Sequence, residues 1–420
     1  MIEEIFRNPV AGSLLTFLIL FSAIFVAFMV NTGFPLTAIL DAMGLTDLSE
    51  TIESYTISGL IGALFDYAKN SVHASLDPFN EVLASFLADG ILEGVGIVSA
   101  FIPLILITLI IMSAIEDSGL GPLMAVSIHE FFSRFGLSGR AIYPLFISLG
   151  CNVPGVMASR AALDDLEKRE IILGASFIPC QARLIVLLAF AYFIAPENPG
   201  LQAAIVFGVY VGGVFLYLLT AFILRRIIYR VKTSPELVLE LPRLRIPSGR
   251  VVWWNSWSMT KHFIVRAGTI IVILVAIIWA LSSYGPEGYV GSEITRSYAY
   301  YIGALIGSAI APIYGLSTES SWKIGFALLN GFIAKENLLA STAVLVGVEN
   351  IRSVPEALGL TISQGIAILV LFMYYIPCMA TVSAIYSETR SLRFTVLAVV
   401  YIVALALAVS AIVYSLINLL

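Results

Sequence analysis

Uncharged apolar runs long enough to form spanning helices follow one another along almost the whole chain. Residues 9–30, 94–115, 201–224, 267–286, 298–315, 361–386 and 394–420 contain no Asp, Glu, Lys or Arg. About 20 such residues cover the ~30 Å of hydrocarbon in a bilayer. Three more runs hold isolated polar groups: 141–159 contains Cys151, 171–195 contains Arg183, and 324–347 contains Lys335 and Glu336. The pattern predicts ten spans. Alternation of period two is absent, which argues against an outer-membrane barrel and for an all-α polytopic membrane protein.

Composition agrees, with 59% hydrophobic and 12% charged residues and a mean hydropathy of +0.96, outside the range of soluble domains. The N-terminus lacks a basic region before its first apolar run, so 9–30 reads as a retained span. Three cysteines make no disulfide framework. Segment 225–266 carries nine Lys or Arg against two Glu, which marks it as a cytoplasmic loop by the positive-inside rule. Segments 160–170 and 387–393 belong on the same side by the same rule. The chain therefore divides into an N-terminal span with connecting helices (1–90), a first repeat with its following span (91–224), the basic loop (225–266), a second repeat (267–390) and a C-terminal span (391–420). Five spans before residue 225 would place the N-terminus outside. An eleventh pass through the amphipathic stretch 119–135 would reverse that, whereas an interfacial helix there would not.

The repeats show in the order of their features. Each copy has a long apolar span, a Gly-led polar break inside a span, and an Ile-Pro-Cys in a final span. Copy one runs from 94–115 through "LGCNVPGVMAS" to "FIPCQAR"; copy two runs from 267–286 through "NGFIAKENLLAS" to "YIPCMAT". If 119–135 crosses, the copies match pass for pass in opposite orientations. Inverted repeats with interrupted helices are a transporter architecture.

The polar breaks carry the chemistry. Pro154 removes a backbone donor and Gly155 adds freedom, so the helix is expected to open near Cys151, with Asn152 beside it. Cys180 and Cys378 each follow a proline directly, which predicts a freed carbonyl near each thiol. Thiols with carbonyl and carboxylate oxygens suit a borderline-soft divalent transition metal. A plain proline kink around an inert cysteine is the alternative at each position. Copy two offers Lys335, Glu336 and Asn337; charge in mid-membrane is costly and is usually paired or functional. Glu336 is the metal-facing carboxylate in this reading, and Lys335 its counter-ion. Arg183 shares a helix face with Cys180 and would repel a cation, so a carbonyl or carboxylate partner is expected. Glu116 and Asp117, at the end of a span, suit an entrance or exit for cations. His73, His129 and His262 show no ligand spacing. No nucleotide-binding P-loop, nucleophile elbow or H-E-x-x-H motif occurs, so the chain reads as a transporter and not an enzyme.

"AIEDSG" (114–119), "GLSGRAIYPLFISLGCNVPGVMASRAAL" (136–163), "FIPCQAR" (177–183), "LELPRLRIPS" (239–248), "VRAGTII" (265–271), "GFIAKENLLAS" (331–341) and "YYIPCMAT" (374–381) occur in that order. Together they resemble the membrane domain of the ferrous iron transport protein B family over most of residues 90–390. The resemblance implies Fe²⁺ as the transported ion, with no permanent cofactor and no nucleic acid. It carries roles for Cys151 with Asn152 and Pro154, for Cys180, for Cys378 and for Glu336. It also implies a multi-pass protein of the cytoplasmic membrane, with self-association open. Family members usually begin with a GTP-binding domain, whereas this chain starts at its first span. A separate cytoplasmic GTPase subunit, transport without GTP, or another cargo would each account for that.

Two other functions fit the same residues. The gate-like repeat resembles part of nucleoside carriers, whose site would stack a base on aromatics. A non-transporting membrane scaffold would use the polar breaks for helix packing.

Overall fold

A computed structural model describes residues 6, 9–33, 36–37, 40, 46–196, 198–231, 244–291, 293–333, 335, 337–348, 353–375 and 378–419. Five helices among them are long and apolar enough to cross a bilayer, or six if the bent pair Tyr298–Tyr314 and Thr318–Phe332 counts as one span. The other runs of the expected ten are shorter, broken or folded back in the described residues. Large apolar side chains such as Phe17, Phe207, Phe215, Leu305 and Leu397 are exposed on the outside of the bundle, as befits a protein whose solvent is lipid.

Ion pairs knit one end of the bundle together, here called the basic end. Asp117 closes the long helix Glu81–Asp117 by taking Arg245 and the Ser248 amide. Arg225 pairs with Glu170 at 3.0 Å, and Arg160 with Glu388 at 2.6 Å. The first helix, Pro9–Thr32, starts at this end, where Thr16 and Ser127 share a hydrogen bond of 3.1 Å.

Helix Leu120–Ser133 does not cross. Gly119, in the left-handed region (φ 82°), turns the chain sharply after the long helix. Both ends of the helix then touch the start of the next element: Tyr143 Oη donates to Gly121 O, and the Gly139 amide donates to His129 Nδ1 at 3.1 Å. The stretch 119–135 is thus a surface helix on the basic end.

The run 141–159 does not cross either. Ile142–Gly150 descends into the bundle, Cys151 breaks it, and Asn152–Met157 returns. Gly155 packs directly on Ser148 across the fold, and Arg140, Tyr143 and Ala161 wall one cavity at the basic end. Both ends of this hairpin therefore open on the same side. Nine residues reach only about 13 Å at 1.5 Å per residue, half a bilayer.

Asp165–Ala175 and Gln181–Ile194 form a true but broken crossing, alongside the continuous helix Pro199–Ile228. The register is antiparallel: Glu170 meets Arg225, Gly174 meets Tyr217, and Pro179 meets Gly213. Among the described residues four crossings, and not five or six, hence precede the basic segment. Removing one pass changes the parity as surely as adding one.

The second repeat runs the other way. Gly249–Phe263 leaves the basic end and passes through a π-helical turn, Ile264–Gly268, into Thr269–Ser283. It lies antiparallel to the long helix, with Gly94 on Val272 and Phe86 on Trp279. Thr318–Ile333 and Asn337–Val346 form a second hairpin, tied by Asn330 Nδ2 to Ser341 Oγ at 3.2 Å. It opens on the far end, where Gln364 donates to the carbonyls of Tyr314 and Gly315 at 3.1 and 3.0 Å. Ile362–Tyr374 and Met379–Thr389 return to the basic end, and Leu392–Leu419 runs back along them, Ser410 Oγ donating to Ala367 O at 2.6 Å. The two repeats are inverted.

Candidate functional site

The tips of both hairpins and the breaks of both split helices reach one chamber. Cys151, Asn152, Cys180, Lys335 and Cys378 line a cavity of about 50 Å³, closed by apolar groups including Phe101, Phe263 and Ile271. The chain's three cysteines, far apart in sequence, therefore share one wall.

Each cysteine stands one residue before a helix. Cys151 (φ −151°, ψ 132°) precedes Asn152–Met157, Cys180 (φ −86°, ψ 173°) precedes Gln181–Ile194, and Cys378 (φ −57°, ψ 158°) precedes Met379–Thr389. Ser, Thr, Asp and Asn are favoured there because a side-chain oxygen can accept an orphan amide. None of the three cysteines makes that bond, so capping does not explain them. Cys378 Sγ instead lies 3.2 Å from Thr381 Oγ1. Pro154 sits in the first turn of its helix, where the missing N–H is no loss. It starts a helix and does not kink one.

Near the breaks, the carbonyls of Ser148, Ser176, Ile178 and Tyr375 face side-chain donors. Helix starts present N–H groups, and two buried side chains take up carbonyls released at the breaks. Arg183, 1% exposed, donates to Ser176 O and Tyr375 O, each at 3.3 Å. It thereby links the break of one repeat to that of the other, through the carbonyl partners expected of it. Asn152, 2% exposed, has its amide among the carbonyls of Ser148, Ser176 and Ile178. Turned one way it donates to Ser176 O at 3.4 Å; turned the other it donates to Ser148 O at 2.9 Å and Ile178 O at 3.2 Å. The second orientation makes two good bonds in place of one long one. Asn152 ties the Cys151 tip to the Cys180 break.

Lys335 is the second hairpin's counterpart to Cys151. It is 3% exposed, and its Nζ meets no hydrogen-bond partner among the described residues. With Arg183 nearby, the chamber has a positive surround, and among the described residues lining it the groups able to carry negative charge are the three thiols. Metal binding at thiols releases their protons. Glu336 and the side chain of Asn337 lie outside the described residues.

Glu116 and Asp117 stand apart from this chamber. Glu116 lines the cavity near Arg140 and Tyr143, and Asp117 is spent on Arg245 and Ser248. Among the described residues no group of three or more His, Cys, Asp and Glu could hold an ion as a ready-made shell. The thiols wall the chamber without converging. Reading the sequence missed Phe263 and Ala380, which with Val153 line both the chamber and a second cavity containing His262 and Glu388. The one signal for Glu388 was a lone acid in a segment otherwise rich in arginine.

A membrane protein of two inverted repeats meeting at broken helices is the class defined here, and the comparisons agree. Residues 98–193 and 264–392, more than half the chain, match the Gate family model, described as nucleoside recognition, and the chain belongs to that family. Within it, the resemblance is to the membrane domain of ferrous iron transport protein B, whose C-terminal model matches residues 206–258. The chain is 35% identical over 373 residues to the Fe(2+) transporter FeoB of Methanocaldococcus jannaschii, covering 87% of this chain and 54% of the relative. It is 33% identical over 363 residues to that of Staphylococcus aureus strain MSSA476, covering 85% and 52%. For Synechocystis the identity is 29% over 402 residues, covering 95% and 60%. The chain thus spans about half the length of the curated relatives it matches. No solved structure matches it.

Proposed function

We propose that the chain carries Fe²⁺ across the cytoplasmic membrane through the thiol chamber, with the basic end facing the cytoplasm. The observation that carries this reading is the meeting of Cys151, Cys180 and Cys378 on one cavity of about 50 Å³. Sulfur ligands favour a borderline-soft transition metal over Na⁺, Mg²⁺ or Ca²⁺. Size argues the same way, since small-molecule pockets run from ~300 Å³ upward. A nucleoside has no room, despite the family model's description. The names of the relatives add the metal's identity. Concentration of Lys and Arg at one end supports its cytoplasmic side. Any GTPase, supplied by further residues or by a separate subunit, would act on that face.

The test is uptake by purified protein in liposomes. Fe²⁺ should enter, excess uridine should not compete, and serine at all three cysteine positions should abolish uptake. Undiminished Fe²⁺ uptake by the triple serine variant would overturn the thiol role.

A further inference from the structure

The thiol chamber continues toward the basic end. A second cavity of about 30 Å³ adjoins it, and Val153, Phe263 and Ala380 wall both. Its remaining lining adds polar groups, His262, Ser383, Ser387, Arg160 and Glu388, to the apolar Met157 and Ala384. At its outer side Arg160 grips Glu388: Nε donates to both carboxylate oxygens at 2.9 Å, and Nη2 donates to Oε1 at 2.6 Å. Lys168 Nζ donates to Glu388 O at 3.1 Å and stands 3.6 Å from Oε2.

The partners come from opposite repeats. Arg160 follows the returning half of the hairpin that begins at Cys151. Glu388 lies in the last turn of the helix that begins at Cys378. The pair therefore clasps the outer ends of two segments whose inner ends supply thiols to the chamber.

We propose that Arg160 and Glu388, with Lys168, form the inner gate of the thiol chamber. A cation leaving for the basic end passes Phe263 into the second cavity, and the clasp must part to release it. This rests on reading the chamber as the ion's way across, although its test needs no cargo. An exposed ion pair alone would be too weak to hold two segments. Here the carboxylate is 3% exposed and held by several charge-assisted bonds, while the arginine is 59% exposed. Such bonds are among the stronger ones; when they part, water can take up the exposed arginine, but the buried carboxylate needs another partner. A divalent cation arriving in the second cavity competes with the guanidinium for the same carboxylate, so the cargo itself weakens the clasp.

The chain's own cysteines make the test, because all three line the chamber. The full chain in liposomes is treated from the basic-end side with a membrane-impermeant thiol reagent. Arg160→Gln and Glu388→Gln should each raise the labelling rate severalfold, and the double variant should label no faster than either. Labelling from the far side should not change. Arg134→Gln, which breaks the exposed pair with Glu130 on the surface helix, serves as the control for general loosening. Should Arg160→Gln destabilise the fold, Lys168→Gln removes only the weaker contact and should give a smaller rise. Parent-like labelling in the clasp variants, or an equal rise in Arg134→Gln, would overturn the gate. Faster labelling in clasp variants of a protein that passes no Fe²⁺ would keep the gate and discard the cargo.

Discussion

Gly155 lies directly against Ser148 across the first hairpin, with no room for a β-carbon between them. Ser148 is itself fixed, its hydroxyl donating to Pro144 O at 2.6 Å. Gly155→Ala should force the halves apart and cost ~1–3 kcal/mol, the usual penalty of overpacking. A lower melting temperature in detergent and altered Cys151 labelling are the expected readouts. Gly208→Ala, where nothing stands within 4 Å, should leave both unchanged.

Serine at position 151, 180 or 378 should separate stability from binding. The cysteines precede helices without capping them, and serine is a good cap, worth ~0.5–2 kcal/mol over alanine. Each Cys→Ser variant should melt at or above the parent temperature while Fe²⁺ affinity falls at least ~10-fold, as for the loss of a metal ligand's support. Calorimetry and metal titration on the same samples test this, and joint loss of both properties would count against it.

Arg183 bridges Ser176 O and Tyr375 O, so Arg183→Met should leave buried acceptors unmet at ~1–3 kcal/mol each. Arg183→Lys should rescue little, because one ammonium lacks the planar fork that spans two carbonyls. The melting temperature and Fe²⁺ uptake should fall together in both variants. A lysine variant indistinguishable from the parent would show that charge alone matters.

His73 gives a pH signature away from the apolar crossings. Its Nδ1 lies 3.1 Å from Asp77 and its Nε2 3.4 Å from Asp89. The bond to Asp77 is the largest cause raising its pKa above the ordinary 6.5, and Asp89 adds to it. A raised value in the folded state means that the stabilisation is full below the unfolded pKa and fades as pH climbs through the folded one. Compared with His73→Gln, the parent should therefore lose its advantage in melting temperature as pH climbs above the ordinary histidine value of 6.5. Melting curves of the two proteins that run parallel over that rise would refute the role.

The helical membrane class and the residues of the chamber were legible because isolated polar groups in an apolar run are rare enough to stand out, whereas the inversion of the repeats was expected only if 119–135 crossed and arises instead because 141–159 folds back. Cys151, Cys180, Cys378 and Lys335 were all visible in this way. The route of the chain was not. Run 141–159 has the length and apolarity of a span, and nothing in its composition says that Gly155 will fold back on Ser148. Proline was read as a kink, yet Pro154 lies in a first turn, a difference set by where the helix starts. The clasp of Arg160 and Glu388 joins residues 228 positions apart, a pairing that one sequence does not announce.

The chamber's lining has a further consequence. Apart from the thiols, Asn152, Lys335 and Thr381, its walls are apolar, Phe101, Phe263 and Ile271 among them, and such walls offer an ion nothing in place of coordinated water. On the proposed function, an ion would exchange water for sulfur within the chamber itself. Mg²⁺ dehydrates reluctantly, so the speed of water exchange, as much as sulfur affinity, would decide which ions pass.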